Sequence, residues 1–163
     1  MLLRSAVTDD IPALVALEQR PFAREFVGQW SAERHRATLC GSDARYFVSE
    51  TAAGQLNAYV ILRGLSEDSG SVELKRIVVA EPGQGLGRIL LTETLRLAFD
   101  ELSAHRVFLD VFEDNARARH LYESLGFVYE GTMRDAARRN ENWCNLCMMS
   151  MLEGEYRRLA ARD

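Results

Sequence analysis

The residues with the most chemical potential lie in one run, Ile77-Val78-Val79-Ala80-Glu81-Pro82-Gly83-Gln84-Gly85-Leu86-Gly87-Arg88. Its apolar opening reads as the end of a strand, and Pro82 to Gly87 as a glycine-rich turn. From Arg88 to Leu102 the chain is expected to be helical, with Leu91, Leu95, Ala98 and Leu102 on one face. Glycines permit tight turns and close approach, so N–H groups at the helix start can converge on one anion, helped by the helix dipole. The chemistry to expect is phosphate binding. A nucleoside-triphosphate loop would need Gly-Lys-Ser/Thr, but Gly87 is followed by Arg88-Ile89. A dinucleotide fingerprint would need a third glycine, and Arg88 or Leu90 stands there in the two possible frames.

What fits is the shorter x-G-x-G turn that cradles the pyrophosphate of coenzyme A. A second run strengthens that reading. Asp110 to Phe127, with Asn115 opening a short helix and Gly126-Phe127 closing it, resembles the signature of the GNAT superfamily of acyl-CoA N-acyltransferases. Gln84-Gly85-Leu86-Gly87-Arg88 lies roughly 30 residues before Asn115, as that family places it. More loosely, Trp30, His35 and Trp143 to Tyr156 look like the branch of ribosomal-protein and N-terminal amine acetyltransferases. One departure stands out: the family usually has Arg or Gln three residues before the first motif glycine, and here Pro82 has no N–H to donate.

The resemblance implies an N-acetyltransferase that moves an acetyl group from acetyl-CoA to a primary amine, on a protein N-terminus or a small molecule. Transfer would be direct, in a ternary complex, with acetyl-CoA as cosubstrate and no metal. A catalytically silent acyl-CoA-binding sensor or interaction module is the alternative. By resemblance, Ile77, Val78 and Val79 would hold the pantetheine arm, and Gln84, Gly85, Leu86, Gly87 and Arg88 the pyrophosphate. Asn115 would cap its helix and touch the cofactor arm, and Tyr122 would protonate the departing thiolate. Glu73, on the strand leading to the turn, is the candidate base. Dimerisation through the last strands is a further expectation from the family.

These residues need a scaffold. The implied one is α/β (α+β): a mixed, mostly antiparallel sheet of about six to seven strands, with helices on both faces and a splay between the two central strands. Leu2 to Val7, Arg45 to Glu50, Gln55 to Arg63, Ser71 to Ala80, His105 to Phe112, Phe127 to Met133 and Trp143 to Leu152 read as strands. Helices are expected from Pro12 to about Arg20 and from Ser31 to Leu39, with an aromatic loop between them. A helical tail is expected from Glu153 to Arg162, and a polar loop over Arg138 to Asn142. Val72 and Leu74 are out of phase with Ile77 and Val79, which predicts a β-bulge near Lys75-Arg76.

Composition narrows the class. At 163 residues, with 47% hydrophobic and 27% charged residues, one domain over 1–163 is expected. The net charge of −4, with acids and bases interspersed, argues against a nucleic-acid binder and favours a cationic substrate. No run has the length of a membrane span, and an odd three cysteines suggest a reducing, cytoplasmic setting. Cys144 and Cys147 are three apart on a strand and so face opposite sides, which argues against a zinc or redox pair.

Overall fold

A computed structural model describes residues 3–161. Seven strands form one sheet in the order β1-β2-β3-β4-β5-β7-β6. They are β1 (Arg4–Ser5), β2 (Ala44–Glu50), β3 (Leu56–Arg63), β4 (Ser71–Val79), β5 (Arg106–Phe112), β6 (Val128–Arg139) and β7 (Asn142–Leu152). Only β4 and β5 run parallel; every other neighbouring pair is antiparallel. The expected mixed sheet is thus present, with helices α1 (Ile11–Glu18), α2 (Pro21–Phe26), α3 (Ala32–Leu39), α4 (Leu86–Arg96), α5 (Ala116–Ser124) and α6 (Glu153–Ala160).

The two faces of the sheet carry separate cores. Leu90, Leu91 and Leu95 of α4 and Tyr122 of α5 pack on Val60, Leu62, Leu74, Val107, Leu109 and Met149. On the other face, Leu14 and Leu17 of α1, with Trp30, cover Tyr46, Val48, Tyr59, Ile61 and Val78. A fully buried leucine contributes about 1.5–3 kcal/mol of transfer free energy, so each layer is held by several such anchors.

The bulge is real and sits at Lys75. Leu62 pairs with Leu74 while Ile61 pairs with Arg76, so Lys75 has no partner on β3. The slip returns Ile77 and Val79 to the core of α4, which already holds Val72 and Leu74. Arg76 is turned toward the α1–α3 face, where it meets Glu18. β4 pairs with β5 only at Ser71↔Arg106, Val72↔Val107 and Glu73↔Phe108. Beyond Glu73 the strands diverge, and this is the expected splay.

Several boundaries differ from the sequence reading. Leu2 and Arg162, at the ends of two expected elements, lie outside the described residues. The expected aromatic loop contains α2, with Pro21 in its first turn, where a missing N–H does no harm. The expected loop over Arg138 to Asn142 is mostly strand. β6 runs to Arg139 and turns at Asn140 and Glu141, whose φ values of +49° and +67° suit a tight hairpin. Glutamate is not a signature residue for such a turn, so periodicity alone does not reveal it. The helix after the glycine turn ends at Arg96 and passes into a π-type turn over Leu97–Glu101.

Candidate active site

A cavity of about 760 Å³ opens where β4 and β5 part, and it reaches both faces of the sheet. On the α4–α5 side it is bounded by the glycine turn. Gly85 is the N-cap of α4 in a left-handed conformation, φ +79°, which a side chain would strain. A Cβ there would meet no atom within 4 Å, so the turn presents its backbone to open space. Among the described residues the N–H groups of Gly85, Leu86 and Gly87 have no backbone acceptor, whereas that of Arg88 closes the first turn on the Gly85 carbonyl at 3.1 Å. Such a cradle fits an anion.

Cations stand beside it. A Cβ on Gly83 would lie 3.0 Å from Arg117 Nη2, so the Arg117 guanidinium lies against the turn. Arg88 donates to Ser124 Oγ at 2.5 Å, tying α4 to α5. Arg117 is the cation that sequence reading did not assign. It supplies charge next to Pro82, the position that lacks a donor.

Asn115 caps α5, its Oδ1 accepting from Ala118 N at 3.2 Å, and it is buried at the cavity wall. Gly126 ends that segment at φ +98°, where a Cβ would clash with Leu159. Between them, Tyr122 packs edge-on to Phe127 with ring centroids 5.7 Å apart. Its hydroxyl makes no hydrogen bond to a described residue, and the residue lines the cavity. Burial, with the charge of Asp110, pushes the Tyr122 phenol well above its ordinary range. It is therefore protonated at neutral pH, and a donor rather than a base.

The cavity gathers Ile77, Val78, Val79, Gly85, Gly87, Arg88, Asn115 and Tyr122 of the expected site residues. Gln84, Leu86 and Glu73 are not among its lining residues. Glu73 sits on the last paired rung and is engaged by Lys75 at 3.1 Å and Arg63 at 3.8 Å. The carboxylate in the cavity is instead Asp110, on β5. It is open to the cavity but walled by protein. That desolvation pushes its carboxyl above the ordinary range, against Lys75 and reinforced by Glu73. No motif marks Asp110; only the divergence of β4 and β5 brings it into the slot.

The α1–α3 side holds a second unforeseen feature. Glu18 is fully buried. Its carboxylate accepts from Trp30 N at 2.8 Å, Tyr59 Oη at 2.5 Å, Arg76 Nη1 at 2.8 Å and His35 Nε2 at 3.2 Å. With Nε2 donating, His35 Nδ1 accepts from Tyr46 Oη at 3.3 Å. Burial alone would raise the Glu18 carboxyl. Hydrogen bonds from His35, Trp30 N–H and Tyr59, with the charge of Arg76, more than offset that and hold it below its ordinary value. Arg76 also donates to the Gly28 carbonyl and lies 4.3 Å from the Trp30 ring centroid, while its buried Nε finds no partner among the described residues. Trp30 and His35 are thus parts of a structural network. Their spacing carries no functional signature.

Residues 11–127 match the sequence model described as the Acetyltransferase (GNAT) family. Spermidine N(1)-acetyltransferase of Vibrio cholerae is 33% identical over 113 residues, 69% of this chain and 65% of that protein. Spermine/spermidine N(1)-acetyltransferase of Bacillus subtilis is 31% identical over 67 residues, 40% of this chain and 44% of that protein. The aligned part of the chain therefore spans less than two thirds of the length of either relative. The crystal structure of spermidine N-acetyltransferase from Vibrio cholerae in complex with CoA and spermine superposes with a TM-score of 0.85 at 26% identity, covering 95% of this chain and 96% of that one. These relatives are named for polyamines, and they lend no support to the expected likeness to the ribosomal-protein and N-terminal amine branch. The family match runs from α1 through α5 and so contains both strands that part to form the slot, the glycine turn and Tyr122: this chain belongs to the acetyltransferase (GNAT) family.

Proposed function

We propose that the protein is an acetyl-CoA-dependent N-acetyltransferase acting on a small primary amine by direct transfer, in one domain over residues 1–163. The observation that carries this reading is the parting of β4 and β5 beyond Glu73. It opens one cavity to the glycine turn, Asn115, Tyr122 and Asp110 together. Acetyl-CoA supplies an acyl group on a thioester whose sulfur can leave. The N–H groups of Gly85, Leu86 and Gly87, with Arg117, bind its pyrophosphate. The backbone of Ile77 to Val79, freed from β5, lies along the pantetheine arm and offers donors to the thioester oxygen. Tyr122 holds a proton for the departing sulfur. Asp110 takes the proton of the incoming ammonium, and Glu73 acts through it by keeping the Asp110 carboxyl basic.

Acceptor and partners follow from the same reading. A small amine is favoured over a protein N-terminus, because the relatives are named for small amines. Spermidine is the reference acceptor for assay. Among the described residues no helix is long and apolar enough to cross a membrane. Self-association would use the outer hairpin of β6 and β7, where Trp143, Val128 and Tyr129 are exposed.

Calorimetric titration of acetyl-CoA, with ATP and NAD as controls, followed by thiol release with an amine panel, tests the proposal. Saturable binding of acetyl-CoA alone is expected, and amine-dependent thiol release after it. Binding without release would favour a silent acyl-CoA sensor instead. Gly85→Glu places a carboxylate and a left-handed strain at the anion cradle, and acetyl-CoA binding should disappear. Gly85→Ala carries the strain without the charge, and some binding should survive. Equal affinities in wild type and Gly85→Glu would remove the turn from the site.

The pH profile isolates Asp110. Its ionised form, the proton acceptor, accumulates only above a midpoint raised over the ordinary value of about 3.9. The acid limb of kcat/KM should therefore rise with pH through that midpoint. Asp110→Asn should remove this limb and lower turnover about 10²-fold. An unchanged acid limb in the variant would assign proton removal to another group.

A further inference from the structure

The acceptor side of the slot is cationic. Arg34, Lys75, Arg76 and Arg138 line the cavity, and among the described residues Asp110 is the one carboxylate that joins them. Two of these cations are already neutralised: Lys75 by Glu73 at 3.1 Å, and Arg76 by Glu18 at 2.8 Å. Arg34 and Arg138 form no ion pair with any described residue. Arg34 is held in place, its guanidinium 4.1 Å from the centroid of Trp30, the ring that also carries Arg76 on the same wall. Stacking fixes the plane of the guanidinium and leaves its N–H edge for an acceptor. In a chain with a net charge of −4, Glu73 and Glu18 are thus paired with Lys75 and Arg76, and the cavity wall keeps the positive charge of Arg34 and Arg138. The cationic substrate favoured by overall charge is not what this wall suits.

Taking the acetyltransferase reading as its basis, we infer that the acceptor is a small primary amine that also carries a carboxylate, an amino acid or similar amino carboxylate, bound through Arg34 with Arg138 in support. Asp110 meets the ammonium end, and Arg34 meets the carboxylate with the paired N–H groups that a planar guanidinium offers. The two charges of such an acceptor match the two unpaired signs of the wall. A polyamine offers several ammonium groups to a wall that has one carboxylate for them and two unpaired guanidinium groups against them.

The test is an acceptor series at saturating acetyl-CoA: amino acids, the amides of the same amino acids, spermidine and spermine. Acids should exceed their amides in kcat/KM by roughly tenfold or more, the difference of one charge-assisted contact. Arg34→Gln should erase that preference by raising KM for the acids, while the amides and the KM for acetyl-CoA stay as in wild type. Arg34→Lys keeps the charge without the planar fork and should retain part of the preference. A general loss of fold would affect acids and amides alike, so the ratio is the readout. Faster turnover of spermidine than of any amino acid overturns the inference. So does an acid-to-amide ratio that Arg34→Gln leaves unchanged. In both cases the measured acetyl transfer shows that the broader function still stands. Failure of acetyl-CoA to bind removes the function and the inference together.

Discussion

Tyr122→Phe is expected to lower kcat by about 10²–10⁴-fold, the usual contribution of a positioned general acid. The substitution is clean because the hydroxyl has no protein partner to lose. The edge-on packing of the ring on Phe127 needs no oxygen. Thermal stability and acetyl-CoA affinity should therefore stay close to wild type while turnover falls. The raised phenol pKa gives the effect its direction: Tyr122 carries its proton across the neutral range, so the loss should not depend on pH near 7. Steady-state kinetics beside a calorimetric titration will decide. If kcat and affinity fell together, Tyr122 would be a wall residue of the cavity, with no part in proton transfer.

Removal of Glu18 should have the largest effect on stability. Glu18→Ala leaves Arg76 as an uncompensated charge at a side-chain exposure of 5%, and strands the donors of Trp30, Tyr59 and His35. Breaking a buried pair in this way costs about 3–5 kcal/mol. The pH dependence follows from the depressed carboxyl of Glu18. Its stabilising contribution is present above the ordinary carboxylate range and is lost as the pH falls through its lower, folded-state value. Wild type should lose stability on acidification below about pH 4, and Glu18→Gln should show a shallower slope there. Chemical denaturation across acid pH measures both. The double replacement Glu18→Leu with Arg76→Met removes both charges and should recover much of the loss, since apolar groups often substitute for a buried pair at little cost. A double variant as unstable as Glu18→Ala alone would show that the packing of the network matters more than its charge.

The same network bears on function, because Arg76 reaches Glu18 only through the bulge at Lys75. Without that extra residue, Arg76 would point to the α4 core and Ile77 to the α1–α3 face. Destabilising Glu18 should therefore also loosen the mouth of the slot and raise the KM for the acceptor before that for acetyl-CoA.

Local pattern was enough for much of this architecture. The sequence by itself determined the strand, glycine turn and helix around Gly85, the Asn115 cap and Gly126 stop of α5, and the phase slip near Lys75. Each follows from a rule acting over a few residues: left-handed φ at glycine, side-chain capping, or the two-residue period of a strand. The family resemblance added Tyr122 as the candidate acid, and the structure places that residue at the cavity with an unengaged hydroxyl.

The rest was decided by tertiary structure, because it depends on which strands lie side by side. Asp110 looks like any outward residue of an amphipathic strand, and becomes a cavity carboxylate only because β5 pairs with β4 for three residues and then turns away. Glu73 looks equally suitable in sequence, yet it stands on the last closed rung among Lys75 and Arg63. Glu18 and Arg76 are 58 residues apart and cannot be paired by any local rule. The charge at Arg34 is likewise ordinary on the exposed side of a helix. It gains meaning only where Trp30 holds it at the wall of the cavity that Asp110 also lines, a placement that no local sequence rule fixes.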